Sequence, residues 1–154
     1  MATWRDVRRI VSELPETAEK THAAGTSTWM VRGKSFAWER PLRRADLEAL
    51  GAAAPTGAIL GIRTPDLEMK DALLGADPVV FFTTPHFDGY NAILVVLSNI
   101  TTASLREVLV EGWLTRAPQR VAEAFLANKS DAAKKPVAKK KPAKKVLAPQ
   151  RKTR

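Results

Sequence analysis

Residues 27–40 (STWMVRGKSFAWER) show the clearest pattern of apolar and polar positions in the chain, and this pattern predicts a β-hairpin. Gly33 and Lys34 fit a two-residue turn with glycine at the first central position, where a type II′ turn requires a positive φ. The turn fixes the register of the strands, and the predicted pairs are Arg32 with Ser35, Val31 with Phe36 and Trp29 with Trp38. Because side chains alternate along a strand, we expect both tryptophans, Val31 and Phe36 on one buried face.

In the rest of residues 1–128, some segments have apolar residues at helical spacing and others have the apolar pattern of strands. The predicted helices are residues 3–14 (with Thr3 and Asp6 as a capping box), 46–50, 65–74, a helix beginning at Thr102 or Ser104, and 118–127. The predicted strands beside the hairpin are residues 58–63, 79–84 and 92–98, with a further short strand considered around 18–22. This order predicts an α+β fold, with an antiparallel sheet and helices packed on one face.

The composition changes at residue 129. Residues 129–154 consist largely of lysine, alanine and proline, lack aromatic residues and show no apolar periodicity. Such a segment buries too little apolar surface to offset the entropy of ordering it. We therefore predict a folded domain at residues 1–128 and a disordered basic tail at residues 129–154.

Charge is divided unevenly between these two parts. Residues 1–128 contain 14 Lys and Arg against 15 Asp and Glu, whereas residues 129–154 contain 11 Lys and Arg against one Asp. The net charge of +9 is therefore carried almost entirely by the tail. We therefore expect the tail, and not residues 1–128, to bind any polyanion.

Several classes of protein are disfavoured by composition. The chain has no cysteine, which excludes disulfides, thiolate metal sites and cysteine nucleophiles. Charges are scattered through the N-terminus, so we expect no secretory signal there. The longest apolar run, residues 92–97, has the length of a strand and not of a membrane span. We expect a cytoplasmic protein.

Four stretches of the chain are similar to a known family. They are TWRDVRRIVSELPET (residues 3–17), VRGKSFAWERPL (31–42), FFTTPHFDGYNAILV (81–95) and LREVLVEGWLTRAP (105–118). Through them, residues 1–126 resemble the MmcQ/YjbR family of small bacterial α+β proteins. The resemblance implies DNA binding, by analogy of the sheet to a double-wing arrangement, but implies no catalytic motif and no DNA site at residue level. The tail resembles the Lys-Ala-Pro tails of linker histones and of some nucleoid proteins.

The basic tail is the main candidate for contact with nucleic acid. Its prolines keep the lysine clusters spread along an extended path, which suits a polyphosphate backbone without reading its sequence. The candidate residues are Lys134, Lys135, Lys139, Lys140, Lys141, Lys144, Lys145, Arg151, Lys152 and Arg154. Arg32, Lys34 and Arg40 of the hairpin are secondary candidates, as residues of a wing that contacts phosphates; an ordinary solvated turn is the alternative.

The loop at residues 85–90 (PHFDGY) offers a second hypothesis. His86, Asp88 and Tyr90, together with Arg116, could line the pocket of a small-molecule-binding domain or of an unrecognised enzyme. The alternative is that Asp88 and Gly89 form a turn that His86 and Tyr90 brace. A third hypothesis is a protein-interaction domain that uses the outer face of the sheet.

Taken together, these observations favour a non-enzymatic protein with no catalytic residue, no cofactor and no metal site. His22 and His86 lie far apart in sequence, and Pro15 interrupts any helix that would group Glu13, Glu16 and Glu19. The expected partner is DNA, bound without sequence preference, while RNA and polyphosphate remain alternatives. We expect no membrane partner, a monomer and a location in the nucleoid.

Overall fold

A computed structural model describes the backbone of residues 1–138 and the side chains of residues 1–128. Within the described part, six strands form one antiparallel sheet in the order β1-β2-β3-β4-β6-β5. The strands are β1 Thr17–Thr21, β2 Ser27–Val31, β3 Lys34–Glu39, β4 Ile59–Arg63, β5 Phe81–Phe82 and β6 Ala92–Val96. The helices are α1 Trp4–Ser12, α2 Arg44–Leu50, α3 Leu67–Ala76, α4 Thr102–Arg116 and α5 Gln119–Ala138. The predicted α+β fold is confirmed.

Helices α1 and α4 pack on one face of the sheet and form the main core. Its largest fully buried side chains include Ile10, Trp29, Phe36, Ile62, Leu109 and Trp113. Gly112 lets α4 approach the sheet closely, because a Cβ at this position would lie 2.7 Å from Cγ2 of Ile62. The predicted capping box at Thr3 and Asp6 is confirmed at the start of α1.

A smaller apolar cluster lies on the opposite face of the sheet. It comprises Ile59, Phe87, Ala92, Leu94 and Val96, with Trp38, Leu42 and Phe82 packed against it. Alternation along β4 and β6 explains the division, because Ile62 faces α4 whereas Ile59 and Leu94 face the opposite side. The 3₁₀ turn Pro85–Phe87 places Phe87 over this second cluster.

The predicted turn and register of the hairpin are wrong. The two turn residues are Arg32 (φ 52°) and Gly33 (φ 80°), and positive φ at both positions is the mark of a type I′ turn. A bulge interrupts the register, and the observed pairs are Val31 with Lys34, Met30 with Ser35, Trp29 with Ala37 and Thr28 with Trp38. Phe36 is the extra residue, so Trp38 falls on the face opposite Trp29. Trp29, Val31 and Phe36 are buried as predicted.

Other boundaries also differ from the expectations. The strand predicted at residues 79–84 is reduced to Phe81–Phe82, and Asp66 rather than Thr64 caps α3. The short strand considered around residues 18–22 is present as β1. Helix α5 continues to Ala138 and includes the backbone of residues 129–138, beyond the predicted end near Ala127, because alanine and lysine favour helix. Residues 139–154 of the predicted tail lie outside the described residues.

Contacts between residues divide the chain into two compact units. The first is Met1–Pro118, which contains the whole sheet together with helices α1 to α4. The second begins at Gln119 and contains α5. The candidate sites described from side chains below all belong to the first unit.

Candidate functional site

The hairpin tip carries two of the secondary candidates for nucleic-acid contact. Arg32 is exposed, and its guanidinium is paired with the carboxylate of Glu16. Its backbone amide also donates to the carbonyl of Glu16 (3.3 Å). Lys34 is exposed and has no ion pair among the described side chains. Lys34 is therefore the hairpin cation best placed to meet a phosphate.

Arg40, the third hairpin candidate, is buried. Its Nη1 lies 3.0 Å from Oδ2 of Asp46 and donates to the carbonyl of Pro41 at 2.6 Å. The guanidinium also lies over the ring of Phe87, with Cζ 5.3 Å from the ring centroid. A guanidinium held in this way is withdrawn from the surface, so its placement argues against a phosphate contact.

The structure describes the tail candidates only in part. Lys134 and Lys135 lie on the α5 backbone, and their side chains lie outside the described residues. The other candidates, Lys139, Lys140, Lys141, Lys144, Lys145, Arg151, Lys152 and Arg154, lie outside the described residues altogether. Their role as nucleic-acid contacts stays a prediction.

The loop at residues 85–90 is held by a buried lysine that sequence reasoning missed. Nζ of Lys70 donates to the carbonyls of Phe87 (2.7 Å) and Tyr90 (3.0 Å). Burial lowers the pKa of Lys70, and the charges of Asp88 and Asp71 partly oppose that shift. Lys70 thus ties the loop to α3, and its position in the first turn of this helix gave no clue to this role.

The four predicted pocket residues are only partly brought together. The rings of His86 and Tyr90 meet edge to face, with centroids 6.4 Å apart, and both side chains are exposed. Asp88 is exposed and acts on Lys70 through its charge. Arg116 lies at the end of α4, and no described contact joins it to the other three. The pocket hypothesis for these four residues stays a prediction.

Arg116 shares one feature with Arg63, the last residue of β4. Both side chains are half-buried, and Nε of each is buried with no hydrogen-bond partner among the described residues. Burial, and to a lesser extent the charge of Arg116, lower the pKa of Arg63. Cζ of Arg63 lies 5.9 Å from the ring centroid of Trp38. None of the ion pairs among the described side chains includes either arginine.

The three glutamates considered for metal binding are each paired with an arginine. Glu13 pairs with Arg106 (2.6 Å), Glu16 with Arg32 and Glu19 with Arg8 (3.1 Å). Within the described part of the chain, no group of three or more His, Asp or Glu side chains is close enough to hold a metal ion.

A small cavity of about 150 Å³ opens near α1. Trp4, Glu39, Pro41, Gly57, Ala58 and Ile59 line it. Glu39 contributes a carboxylate, but that group already accepts a hydrogen bond from the amide of Ser27 (3.1 Å). None of the predicted site residues lines this cavity.

No helix between residues 1 and 138 is both long enough and apolar enough to cross a membrane.

Comparison with known proteins supports the resemblance seen in the sequence. The chain is 50% identical over 131 residues to an uncharacterized protein of Mycobacterium tuberculosis and to one of Mycobacterium bovis, covering 83% of this chain and 98% of each relative. The fold is similar to the crystal structure of a Deinococcus radiodurans protein with a DUF419 domain (TM-score 0.55, 22% identity, 74% of this chain and 78% of that chain). A profile of the YjbR family matches residues 12–115. The chain therefore belongs to the YjbR family.

Proposed function

We propose that this protein is a non-enzymatic DNA-binding protein that holds DNA mainly through its basic C-terminal segment. The observation that carries the proposal is the separation of charge in the sequence. Residues 1–128 are nearly neutral, whereas residues 129–154 hold 11 basic residues and one acidic residue. Affinity then comes from phosphate contacts and counterion release, without readout of the base sequence.

Ion pairing within the folded part supports this assignment. Arg8, Arg9, Arg32, Arg40, Arg44 and Arg106 all pair with carboxylates of the same unit. Their positive charges are therefore largely compensated before any DNA approaches. Lys34 is the exception at the hairpin tip, and we assign it a secondary role in orienting the domain on DNA that the tail has already bound.

The proposal includes no catalytic step and places the protein in the nucleoid as a monomer. His86 is the only histidine of the 85–90 loop, and the sequence supplies no serine or cysteine nucleophile motif beside it. A polyphosphate-binding tail also accepts RNA or inorganic polyphosphate, and these polyanions would compete with DNA for it.

The test is a titration of the full chain with duplex DNA at several salt concentrations. If about seven to nine lysines contact phosphates, log K should fall against log salt with a slope of roughly −6 to −8. A full-length variant with seven lysines replaced by glutamine should bind more weakly and with a shallower slope. The replaced residues are Lys134, Lys135, Lys139, Lys140, Lys141, Lys144 and Lys145.

Two controls complete the design. A chain in which residues 129–154 are shuffled keeps their charge, and its affinity for DNA should match the wild type. Lys34→Gln should reduce affinity only slightly. If the glutamine variant keeps the wild-type affinity and salt slope, the tail does not bind DNA and the proposal fails.

A further inference from the structure

The cavity of about 150 Å³ near α1 has both an aromatic ring and a carboxylate in its wall. Trp4 is the first residue of α1, and Glu39 is the last residue of β3. Pro41 and residues 57–59 complete the lining with small and apolar groups. Cavities of roughly this volume hold a ligand the size of benzene. The cavity is therefore large enough for one small organic group.

Glu39 has one carboxylate oxygen free to accept a ligand. Its Oε2 accepts a hydrogen bond from the amide of Ser27 (3.1 Å), and Nη2 of Arg8 lies 4.0 Å from the same oxygen. Arg8 is engaged mainly by Glu19, because its Nε donates to both carboxylate oxygens of that residue (3.2 and 3.1 Å). Oε1 of Glu39 has no hydrogen-bond partner among the described residues and is not shut off from solvent. A negative charge thus borders the cavity with one oxygen unused.

The indole of Trp4 is held in place beside this carboxylate. It stacks on the buried ring of Trp29, with ring centroids 6.0 Å apart and an angle of 23° between the ring planes. The side chain of Trp4 is itself only half-buried and lines the cavity. A tryptophan ring attracts cations through its quadrupole more strongly than the other aromatic side chains do. An aromatic ring and a carboxylate in one cavity together favour a positively charged ligand.

The backbone around the cavity offers few free hydrogen-bond acceptors. The carbonyls of Pro41 and Ile59 already accept hydrogen bonds from Nη1 (2.6 Å) and the amide (2.9 Å) of Arg40. The carbonyl of Ala58 accepts a hydrogen bond from the amide of Leu97 (3.1 Å). A primary ammonium carries three N–H donors, and leaving a buried donor unpaired costs free energy. A trimethylammonium group has no N–H donor and presents methyl groups to the apolar lining, so it suits this cavity better.

We propose that this cavity binds the trimethylammonium group of a small soluble ligand, between the indole of Trp4 and the carboxylate of Glu39. The site lies within the unit Met1–Pro118 and includes none of the basic residues assigned to DNA. It also differs from the pocket predicted from the sequence at residues 85–90. The same head group occurs in choline lipids, and the experiment separates that source from a soluble ligand.

The test uses NMR of the ¹⁵N-labelled full-length chain with choline as the probe. The indole Nε1–H resonance of Trp4 should shift on addition of choline and reach saturation. The neutral isostere 3,3-dimethyl-1-butanol carries a tert-butyl group in place of the trimethylammonium group and should bind about tenfold more weakly. Ethanolamine, which carries a primary ammonium, should also bind more weakly than choline.

Glu39→Gln is the variant that separates the charge from the shape of the site. Glutamine keeps an acceptor for the amide of Ser27 but removes the negative charge. Choline binding should weaken by about tenfold, whereas binding of the neutral isostere should be unchanged, a pattern that damage to the fold would not produce. Glu48→Gln is the matched control, because Glu48 is 67% exposed on α2 and does not line the cavity.

The tail variant with seven glutamines should bind choline as the wild type does, which separates this site from the proposed DNA binding. The proposal is overturned if a large excess of choline leaves the Trp4 resonance in place, or if the neutral isostere binds as tightly as choline. It is also overturned if Glu39→Gln weakens both ligands equally. A shift caused only by vesicles of phosphatidylcholine, and not by choline, would exclude a soluble ligand and overturn it as well.

Discussion

Arg40 and Asp46 form an ion pair that is almost completely buried, with 3.0 Å between Nη1 and Oδ2 and side-chain exposures of 8% and 5%. The pair joins the residue after β3 to the first turn of α2. The amide of Arg43 donates to the same Oδ2 at 2.8 Å, so one carboxylate group both caps α2 and neutralises Arg40. Because Arg40 also lies over Phe87, the pair supports the second apolar cluster.

Asp46→Asn should strongly lower the free energy of unfolding. The substitution leaves the guanidinium of Arg40 buried without a counter-charge, and breaking a buried pair in this way costs about 3–5 kcal/mol. Urea unfolding followed by circular dichroism measures the change. Glu48→Gln is the control, because its partner Arg44 is exposed and the loss should be small. Similar small losses in both variants would contradict the proposed importance of the buried pair.

The stability of the protein should also depend on the ionisation of Asp46 in acid. Burial by itself raises the pKa of Asp46, but the amide of Arg43 and the charge of Arg40 outweigh it and hold the pKa below the ordinary value of 3.8. A depressed folded-state pKa means that the contribution is complete above the unfolded-state pKa and is lost as the pH falls through the folded-state pKa. The difference in unfolding free energy between wild type and Asp46→Asn should therefore stay constant above about pH 5 and shrink below pH 3.8. A difference that stays constant at still lower pH would refute this.

Gly61→Ala should destabilise the protein through a clash with Trp38. A Cβ at this position would lie 2.5 Å from Cε2 and Nε1 of the indole, which is too close for any packed arrangement. Displacing Trp38 disturbs its stacking on Phe87, so we expect the free energy of unfolding to fall by about 1–3 kcal/mol. Urea unfolding measures the loss.

Gly75→Ala is the matched control for Gly61→Ala. Gly75 lies in α3, and a Cβ there meets nothing within 4 Å. Alanine in a helix loses less conformational entropy on folding than glycine, so this variant should be more stable by about 0.4–1 kcal/mol. Equal effects of the two substitutions would show that the contact with Trp38 does not limit residue 61.

Lys70→Met should loosen the loop at residues 85–90. The substitution keeps much of the buried aliphatic chain but removes the donor that serves the carbonyls of Phe87 and Tyr90. An unsatisfied buried acceptor costs about 1–3 kcal/mol, and amide hydrogen exchange in the loop should become faster. Lys34→Met at the exposed hairpin tip should change neither the free energy of unfolding nor the rate of amide exchange in the loop. Unchanged exchange in Lys70→Met would show that the loop does not depend on the lysine.

The periodicity of the sequence was sufficient for the fold but not for the register of the hairpin. Helices α1 and α4 and strands β4 and β6 follow directly from repeats of apolar residues. The hairpin turn could not be settled in the same way, because Gly33 fits either the first position of one turn type or the second position of another. The bulge at Phe36 leaves no mark in the alternation of apolar residues, so Trp38 was assigned to the wrong face.

The candidate site was harder to predict from the sequence than the fold. Arg40 reads as an exposed hairpin cation until the position of Asp46 is known, because their pairing depends on how the chain returns after β3. Arg63 could have been noticed as a charge at the end of the apolar strand ILGIR. Its place beside Trp38 depends on the bulge at Phe36 and on the pairing of β3 with β4, which no local pattern reports.

The bulge at Phe36 places one of the two hairpin tryptophans in each layer of the molecule. Trp29 lies in the core under α1 and α4, whereas Trp38 packs on Phe87 across the sheet. Chains in which Trp4 and Trp113 are replaced by phenylalanine, and only one of these two tryptophans is kept, would therefore show by fluorescence whether the two layers melt together. Coincident transitions would identify a single cooperative unit, and an earlier transition at Trp38 would identify the second cluster as a separately unfolding part of the domain.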